Sequence, residues 1–445
     1  MRAVATFWLL ALAWNDTAWA DSWPAFRGAD GSGVSTSEQL PLEWSAEQNV
    51  AWKTPIDGRG WSCPIVWEGK VFLTTAVPVD DPTGVTEPKQ GLYFGGERLA
   101  PPEAEHRWEL WCLDRESGQV LWKQVARQAR PSAAVHIKNS YASETPVTDG
   151  QRVYAYFGAA GLYAYDLDGR LVWQKDLGPF PTRFNWGTAS SPALAEGRLF
   201  LQCDFEGDSF LLALDAASGN ELWRTPRNEK SNWSSPFVWR NSLRTELITV
   251  GTNRVRSTNL LNGETWWELG GMSVITSPTP VAQGDLLYVT SGYVQDDKQP
   301  LVAIRPGGAG ELVPDDQPEA IAWRHAKAGS YIPSPLVYEG QLFVLYDRGF
   351  CAAFDAATGA EIFAKQRLGA DRGANFTASP WCYRGHIFCL SEEGDTFVVK
   401  RGNTLDVVGV NSLGETCLSS PAMAGDRLFV RTLKHLWCLR AAPEE

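Results

Sequence analysis

The chain has 445 residues, of which 44% are hydrophobic and 21% are charged, and its formal net charge is −12 at pH 7. This supply of apolar side chains is sufficient for a folded core and argues against a disordered chain. The acidic balance disfavours nucleic acid and anionic membranes as partners, because both bind basic surfaces. The 21 tryptophans are far above average usage and require a repeated packing role.

The first twenty residues have the pattern of a secretory signal. Arg2 precedes an apolar run over residues 3–14, and Ala18-Trp19-Ala20 fits a small-x-small cleavage site. The run is too short to cross a bilayer, which takes roughly 20 residues, and we expect no membrane span elsewhere. We therefore predict a signal peptide at 1–20, an N-terminal extension at 21–48, and a periplasmic or secreted protein. A buried N-terminal helix is the alternative.

A Ser/Thr-Pro or Cys-Pro pair followed by a strand, a turn and a second strand recurs along the chain. Most copies are 41 to 46 residues apart, and the two longer gaps hold polar insertions. Each unit contains four strand-like runs, which is typical of a β-propeller blade; a solenoid of stacked sheets is the structural alternative. The prolines are Pro64, Pro146, Pro192, Pro236, Pro278, Pro335, Pro380 and Pro421.

A second motif lies inside the units, as in "DRESGQVLW" from Asp114, "DAASGNELW" from Asp215 and "DAATGAEIF" from Asp355. It predicts a type I turn closed by a glycine at positive φ, then a strand with an aromatic residue on one face. We expect these aromatic side chains to fill the layers between blades. The pairs are Gly118–Trp122, Gly169–Trp173, Gly219–Trp223, Gly263–Trp267 and Gly359–Phe363.

The two ends of the repeat region complement each other. The eighth unit ends at "HLWCLRA" with three strands, whereas "NVAWKTP" from Asn49 is a tryptophan strand with no unit before it. An N-terminal strand that completes the last sheet closes the ring without an unpaired edge. We predict an all-β, eight-bladed β-propeller over residues 49–440, with four-stranded antiparallel blades.

The turn followed four residues later by tryptophan resembles the repeat of the PQQ-binding-like (quinoprotein-type) β-propeller family, over essentially the whole mature chain. The stretches "WPAFRGADGSGVS", "YASETPVTDGQRVYAYFG" and "SEEGDTFVVK" are similar to secreted propellers of planctomycete-type bacteria. One branch of this superfamily holds dehydrogenases that use pyrroloquinoline quinone (PQQ), and another holds non-catalytic propellers similar to BamB. The dehydrogenases have vicinal cysteines over the quinone and longer chains, and this sequence has neither.

Motifs for chemistry are scarce. The sequence contains no G-x-S-x-G, H-E-x-x-H or P-loop motif, and its five histidines are scattered. "DFEGDS" from Asp204 lacks the length and spacing of a Ca²⁺ loop, so we predict no metal site. The eight cysteines form no C-x-x-C pair. Buried free thiols are favoured, although Cys382, Cys389, Cys417 and Cys438 could pair across neighbouring strands.

The loops before the innermost strands carry basic residues in similar positions. Five of the eight loops have Lys or Arg six to nine residues before the proline, accompanied by Asn139, Asn185, Asn232 and Asn375. Because such loops meet at one mouth of the central channel, we predict a site there for a small anion or an acidic peptide. Solvated loop charges with turn-forming asparagines are the alternative. The basic residues are Lys138, Arg183, Lys230, Lys327 and Arg372.

Two functions follow from these features. The first is a monomeric, exported, non-enzymatic scaffold that binds a protein partner or a small anionic ligand, without a predicted cofactor. The second is a PQQ-dependent oxidoreductase, which would need a carboxylate general base beside a quinone pocket. The sequence singles out no such carboxylate.

Overall fold

The computed structural model describes residues 21–88, 100–314, 317–369 and 373–442. The predicted signal peptide at 1–20 and the predicted site residue Arg372 lie outside these ranges. Within them the strands form eight separate sheets in sequence order, which confirms the eight-bladed propeller. No helix among the described residues is long and apolar enough to cross a membrane.

The first four blades are consecutive antiparallel meanders. Blade 1 contains β2 (Ile65–Trp67), β3 (Lys70–Pro78), β4 (His106–Asp114) and β5 (Val120–Ala129). Blade 2 contains β6 (Val147–Thr148), β7 (Arg152–Tyr156), β8 (Leu162–Asp166) and β9 (Leu171–Lys175). Blade 3 contains β10 (Ala193–Ala195), β11 (Arg198–Cys203), β12 (Phe210–Asp215) and β13 (Glu221–Pro226). Blade 4 contains β14 (Phe237–Arg240), β15 (Thr245–Val250), β16 (Arg254–Thr258) and β17 (Thr265–Gly270).

The other four blades complete the ring. Blade 5 contains β18 (Val281–Gln283), β19 (Leu286–Thr290), β20 (Leu301–Ile304) and β22 (Ile321–His325). Blade 6 contains β23 (Leu336–Tyr338), β24 (Gln341–Tyr346), β25 (Phe350–Asp355) and β26 (Glu361–Arg367). Blade 7 contains β27 (Trp381–Tyr383), β28 (His386–Leu390), β29 (Asp395–Lys400) and β30 (Asp406–Ser412). Blade 8 contains β31 (Ala422–Ala424), β32 (Arg427–Arg431), β33 (His435–Arg440) and the N-terminal strand β1 (Val50–Pro55).

The N-terminal strand closes the ring as predicted. β1 pairs antiparallel with β33, with Trp52 opposite Cys438 and Thr54 opposite Leu436. This pairing satisfies the outer edge of β33, which would otherwise expose unpaired backbone groups.

Tryptophan side chains connect five of the blades to the next blade. The indole N–H of Trp173 donates to the Ala216 carbonyl of blade 3 at 3.0 Å, and its ring lies against Gly219. Gly219 has φ +71°, and a Cβ there would lie 2.7 Å from the indole ring. The glycine is therefore required both by the turn and by the neighbouring blade. Equivalent indole-to-carbonyl bonds are made by Trp52, Trp122, Trp223 and Trp323.

Blade 4 departs from the predicted four strands. A fifth strand, β21 (Gly310–Leu312), comes from the insertion inside blade 5 and pairs parallel with β17. It covers Trp267, whose indole N–H donates to Glu246 of its own blade rather than to a neighbour. The second of the two polar insertions thus supplies a cover for the outer edge of blade 4, since an open blade edge is prone to intermolecular pairing.

The N-terminal extension runs across one end of the propeller. Trp23 exchanges backbone hydrogen bonds with Val66 of blade 1 at 2.8 and 2.9 Å. The chain then crosses the axis, and Gly33 and Ser35 bond the backbone of Cys382 in blade 7. Trp44 finally stacks on Phe388 at 5.8 Å between ring centroids. We refer to residues 21–48 as the floor of the channel.

Candidate functional site

The residues that precede the inner-strand prolines form a closed hydrogen-bonded circle, which we call the hydroxyl ring. Each side-chain oxygen accepts the backbone N–H of the equivalent residue in the preceding blade, over 2.9–3.3 Å. The circle closes where the Cys63 thiol accepts hydrogen bonds from the backbone and hydroxyl of Ser420. The members are Cys63, Thr145, Ser191, Ser235, Thr279, Ser334, Ser379 and Ser420. Thr279, rather than Ser277, is the member from blade 5.

The hydroxyl ring leaves hydrogen-bond donors free. Five of its hydroxyls, those of Ser191, Ser235, Thr279, Ser334 and Ser379, accept a backbone hydrogen but have no acceptor for their own hydrogen among the described residues. The Thr145 hydroxyl instead bonds the Cys63 thiol. A hydroxyl carries one donor and two acceptor positions. Burial raises the pKa of the Cys63 thiol to about 11, so the thiol is neutral at pH 7. The ring therefore presents uncharged donors.

All eight ring members line one cavity of about 260 Å³ on the propeller axis. Phe26 of the floor lines the cavity at one end, and aromatic side chains line it at the mouth: Trp61, Trp186, Trp233 and Tyr331. Among the described residues that line it, there is no carboxylate. Its walls combine hydroxyl groups with aromatic faces, an arrangement that binds small polar ligands.

One loop at the mouth has a strained backbone. Phe184 and Asn185 both have positive φ, at 55° and 56°, a region that bulky residues rarely adopt. The strain leaves the Phe184 ring 54% exposed, 5.3 Å from the Trp186 ring. Trp186 in turn lies 5.6 Å from Trp233, whose indole donates to the Gly187 carbonyl at 2.7 Å. Exposed aromatic groups on a fixed loop are typical of binding surfaces.

The structure does not bring the predicted basic residues into one cluster. Lys138 lines the cavity, while Arg183 lies beside the exposed Phe184 ring, with its guanidinium carbon 5.7 Å from the ring centroid. Lys230 and Lys327 are largely exposed and lie near Glu206 and Asp297. Arg372 lies outside the described residues. An anion site made by these five residues stays a prediction.

Lys138 crosses the mouth to the far side. Its ammonium forms a buried ion pair with Glu392 of blade 7, and Thr377 donates to the same carboxylate oxygen at 2.7 Å. Lys138 precedes blade 2, three blades away from Glu392 around the ring. Because the pair is buried, its charges largely cancel, and Lys138 is engaged in holding the mouth together.

The floor contributes a basic residue that the sequence analysis did not single out. Arg27 is 3% exposed, and one of its amino groups donates to the Ser32 carbonyl at 2.7 Å. Its Nε and Nη1 have no partner among the described residues. Burial lowers the pKa of Arg27 to about 10, and the nearby Cys63 and Cys382 side chains counteract this effect. Arg27 stands in the quoted "WPAFRG" stretch, but no spacing rule pointed to its burial.

A second cavity, of about 80 Å³, lies between blades 1, 2 and 3. Its wall includes Glu144, which is 1% exposed and accepts a hydrogen bond from Thr188 at 2.5 Å. Burial raises the pKa of Glu144 to about 7. A carboxyl group with such a pKa can exchange a proton near neutral pH.

The cysteines and acidic residues form no metal centre in the parts of the chain that the structure describes. All eight cysteines are buried and free, which agrees with the first of the two sequence alternatives. Their pKa values are raised by burial, to about 12 for Cys203, Cys351 and Cys438. Such thiols are unreactive packing residues.

Comparison with known proteins identifies relatives over most of the chain. A family model described as outer membrane protein assembly factor BamB matches residues 89–295 and 251–414. BamB of Yersinia pestis is 22% identical over 240 residues, which are 48% of this chain and 56% of that protein. The chain thus matches about half the length of this curated relative.

Solved structures show the same architecture at low sequence identity. BamB from Moraxella catarrhalis has a TM-score of 0.53 at 12% identity, covering 79% of this chain and 99% of that one. A europium-containing methanol dehydrogenase has a TM-score of 0.58 at 9% identity, covering 94% and 90%. At such identities these similarities establish the fold alone.

The residues of the channel do not fit PQQ, the quinone cofactor of the dehydrogenase branch. PQQ is a planar tricarboxylate, so its site must supply several positive charges. The described residues that line the cavity include one permanent cation, Lys138, and that cation is paired with Glu392.

The identity of the chain rests on the repeat, the closed ring and the family match together. Five of the eight blades carry the predicted turn and aromatic pattern, and the family model spans well over half of the residues. This chain belongs to the BamB-like family of PQQ-like repeat β-propellers.

Proposed function

We propose that this protein is an exported, non-enzymatic propeller that binds a protein partner at the mouth of its channel. The observation that carries the proposal is the loop that holds Phe184 in a left-handed conformation, 54% exposed, beside Arg183. Backbone strain is retained where it positions a functional side chain. Phenylalanine and arginine presented together, next to a pair of tryptophans, are the residue types of binding hot spots.

The channel supports binding rather than catalysis. The second candidate, a quinone-dependent oxidoreductase, has support from the fold of the methanol dehydrogenase. It requires a carboxylate base near the reacting atoms, and the described cavity lining includes none. The relative described as an outer membrane assembly factor agrees with a scaffold role and with export.

A site-specific cross-linking experiment tests the partner surface. A photoreactive amino acid is placed at Phe184 or, as a matched control, at Leu261, which is 59% exposed in the turn before β17 of blade 4. In the native host we expect one discrete protein adduct from position 184 and none from 261. Adding Arg183→Ala should weaken the adduct. Equal adducts from both positions would contradict the proposal.

Two further measurements separate the alternatives. The protein is mixed with PQQ and Ca²⁺ and passed over a gel-filtration column, and we expect no chromophore to elute with it. A retained quinone would instead support the oxidoreductase. N-terminal sequencing of the protein from its host should begin near Asp21, as cleavage of the signal peptide requires.

A further inference from the structure

The hydroxyl ring concentrates donors that the fold does not use. Five hydroxyls have accepted a backbone hydrogen and donate to no described residue, so each can add only a donated hydrogen and one further accepted bond. All of them line the same closed-floor cavity. A ligand group that offers only acceptors matches this wall better than a group that offers donors.

Two buried guanidinium groups make no hydrogen bond to a carboxylate among the described residues. Arg27 lies in the floor directly after Phe26, which lines the cavity, and two of its nitrogens are unpartnered among the described residues. Arg431 of blade 8 is fully buried, and none of its three side-chain nitrogens has a partner there. Its carbonyl accepts from the Ser419 hydroxyl at 2.7 Å, and Ser419 lines the cavity. Buried unpaired charge is costly unless a counter-charge lies nearby.

The acidic groups near these arginines are bound by other groups. Asp30 lies close to Arg27, but its carboxylate accepts the Ser32 backbone N–H and its side chain is solvent-exposed. Glu415 and Asp57 act on Arg431, but the Glu415 oxygens are bound by the Lys434 backbone and His435, and Asp57 pairs with Lys123. Arg27 therefore adds a buried positive charge at the floor of a cavity whose ring offers free donors.

We propose that the hydroxyl ring binds one oxyanionic group, a carboxylate, sulfate or phosphate, held by the ring hydroxyls and stabilised by Arg27 from the floor. The aromatic residues at the mouth would then contact whatever apolar part the ligand carries. The inference deepens the proposed binding function and rests on it only in treating the channel as a ligand site. In this proposal the neutral ring hydroxyls contact the anion, in place of the five basic loop residues that the sequence predicted.

Titration calorimetry of the full mature chain tests the proposal. Sodium sulfate, phosphate and acetate are titrated separately, in a buffer whose ionic strength is held constant with chloride. We expect at least one of the three to bind with a stoichiometry of one per chain. The oxyanion that binds most tightly identifies the preferred headgroup.

Isosteric variants test whether the ring supplies the contacts. Thr145→Val and Thr279→Val remove one hydroxyl each, from blades 2 and 5. Thr279→Val should weaken binding about tenfold, the value of a hydrogen bond to a charged group, and Thr145→Val should weaken it less, because the Thr145 hydroxyl already bonds the Cys63 thiol. Thr145→Ser and Thr279→Ser retain the donor and should restore binding. Thr148→Val is the matched control, because Thr148 is buried in blade 2 and donates to the Arg152 carbonyl at 2.7 Å without lining the cavity.

Floor variants test the electrostatic part. Arg27→Gln should weaken binding about tenfold, and Arg27→Lys, which keeps the charge, should weaken it less. Absence of binding by all three oxyanions, or binding that the valine variants leave unchanged, would overturn the proposal and leave a water-filled ring. Either result leaves the Phe184 cross-link intact, so failure here is distinguishable from failure of the proposed function.

Discussion

The two ends of the central channel are built from different kinds of chain. The floor is one continuous segment, residues 21–48, which bonds the inner strands of blades 1, 2 and 7 and buries Trp23, Arg27 and Trp44. The mouth is made from separate loops, one before each inner strand, and it exposes Phe184, Lys230 and Lys327.

The two ends therefore have different roles: the floor contributes to the stability of the ring, and the loops of the mouth are suited to binding. A single segment that contacts distant blades contributes to closing the ring, and its loss affects the whole molecule. Independent loops on a rigid ring can change one at a time without unfolding it, which is why binding residues concentrate on such loops. The hydroxyl ring lies between the two ends and is shared by all eight blades.

The largest expected effect is at the N-terminal segment that runs from the floor into β1. Deleting residues 21–56 removes β1 and exposes the edge of β33, so we expect a loss of more than about 5 kcal/mol, enough to abolish a stable monomer. Light scattering after gel filtration and thermal unfolding measure this. Deleting 21–35 alone keeps β1 and should leave a folded monomer. A monomeric 21–56 deletion with an unchanged Tm would refute the closure argument.

The contacts between blades should come next. Trp173→Ala empties an interblade site and removes the bond to the Ala216 carbonyl, so we expect a loss of about 3 kcal/mol in denaturant unfolding. Leu171→Ala in the same strand, where the side chain is 50% exposed, should change stability by less than about 0.5 kcal/mol. Equal losses in the two variants would show that Trp173 is not an interblade connector.

A smaller, pH-dependent effect is expected at Glu144. Its pKa is raised from 4.5 to about 7 by burial, so the folded protein retains a proton that the unfolded chain releases. The parent therefore loses stability as pH rises between these values, by at most about 3 kcal/mol. Glu144→Gln should gain stability relative to the parent from pH 4.5 to 8. The same change at the solvent-exposed Glu264 is the control for the substitution itself.

The smallest effect is expected at the basic residues of the mouth. If the hydroxyl ring holds the ligand, Arg183→Ala combined with Arg372→Ala should reduce sulfate affinity by no more than about twofold, because Arg183 lies beside the Phe184 ring and does not line the cavity, so its charge acts through screening solvent. If the five predicted loop cations form the site instead, the same double variant should abolish the rise in Tm that sulfate causes. Thermal shift with and without sulfate, at two salt concentrations, decides between the two.

The sequence by itself determined the architecture. The Gly-to-Trp spacing predicted a turn and an interblade aromatic residue, because a glycine at positive φ and an indole in the adjacent layer are local requirements. The unpaired strand from Asn49 predicted how the ring closes. The turn, the interblade aromatic position and the closing strand depend on neighbours close in sequence or on a repeated unit. They can therefore be predicted from a single sequence.

Tertiary structure decided the site. The Ser/Thr before each proline was visible as a unit boundary, but only the closed ring makes those hydroxyls neighbours across 41 to 82 residues of chain. Lys138 was predicted at the mouth, yet its ion pair with Glu392, 254 residues away, could not be read locally. Burial of Arg27 depends on where the floor crosses the axis. Charge pairing and burial are set by contacts between distant segments, and no local pattern encodes them.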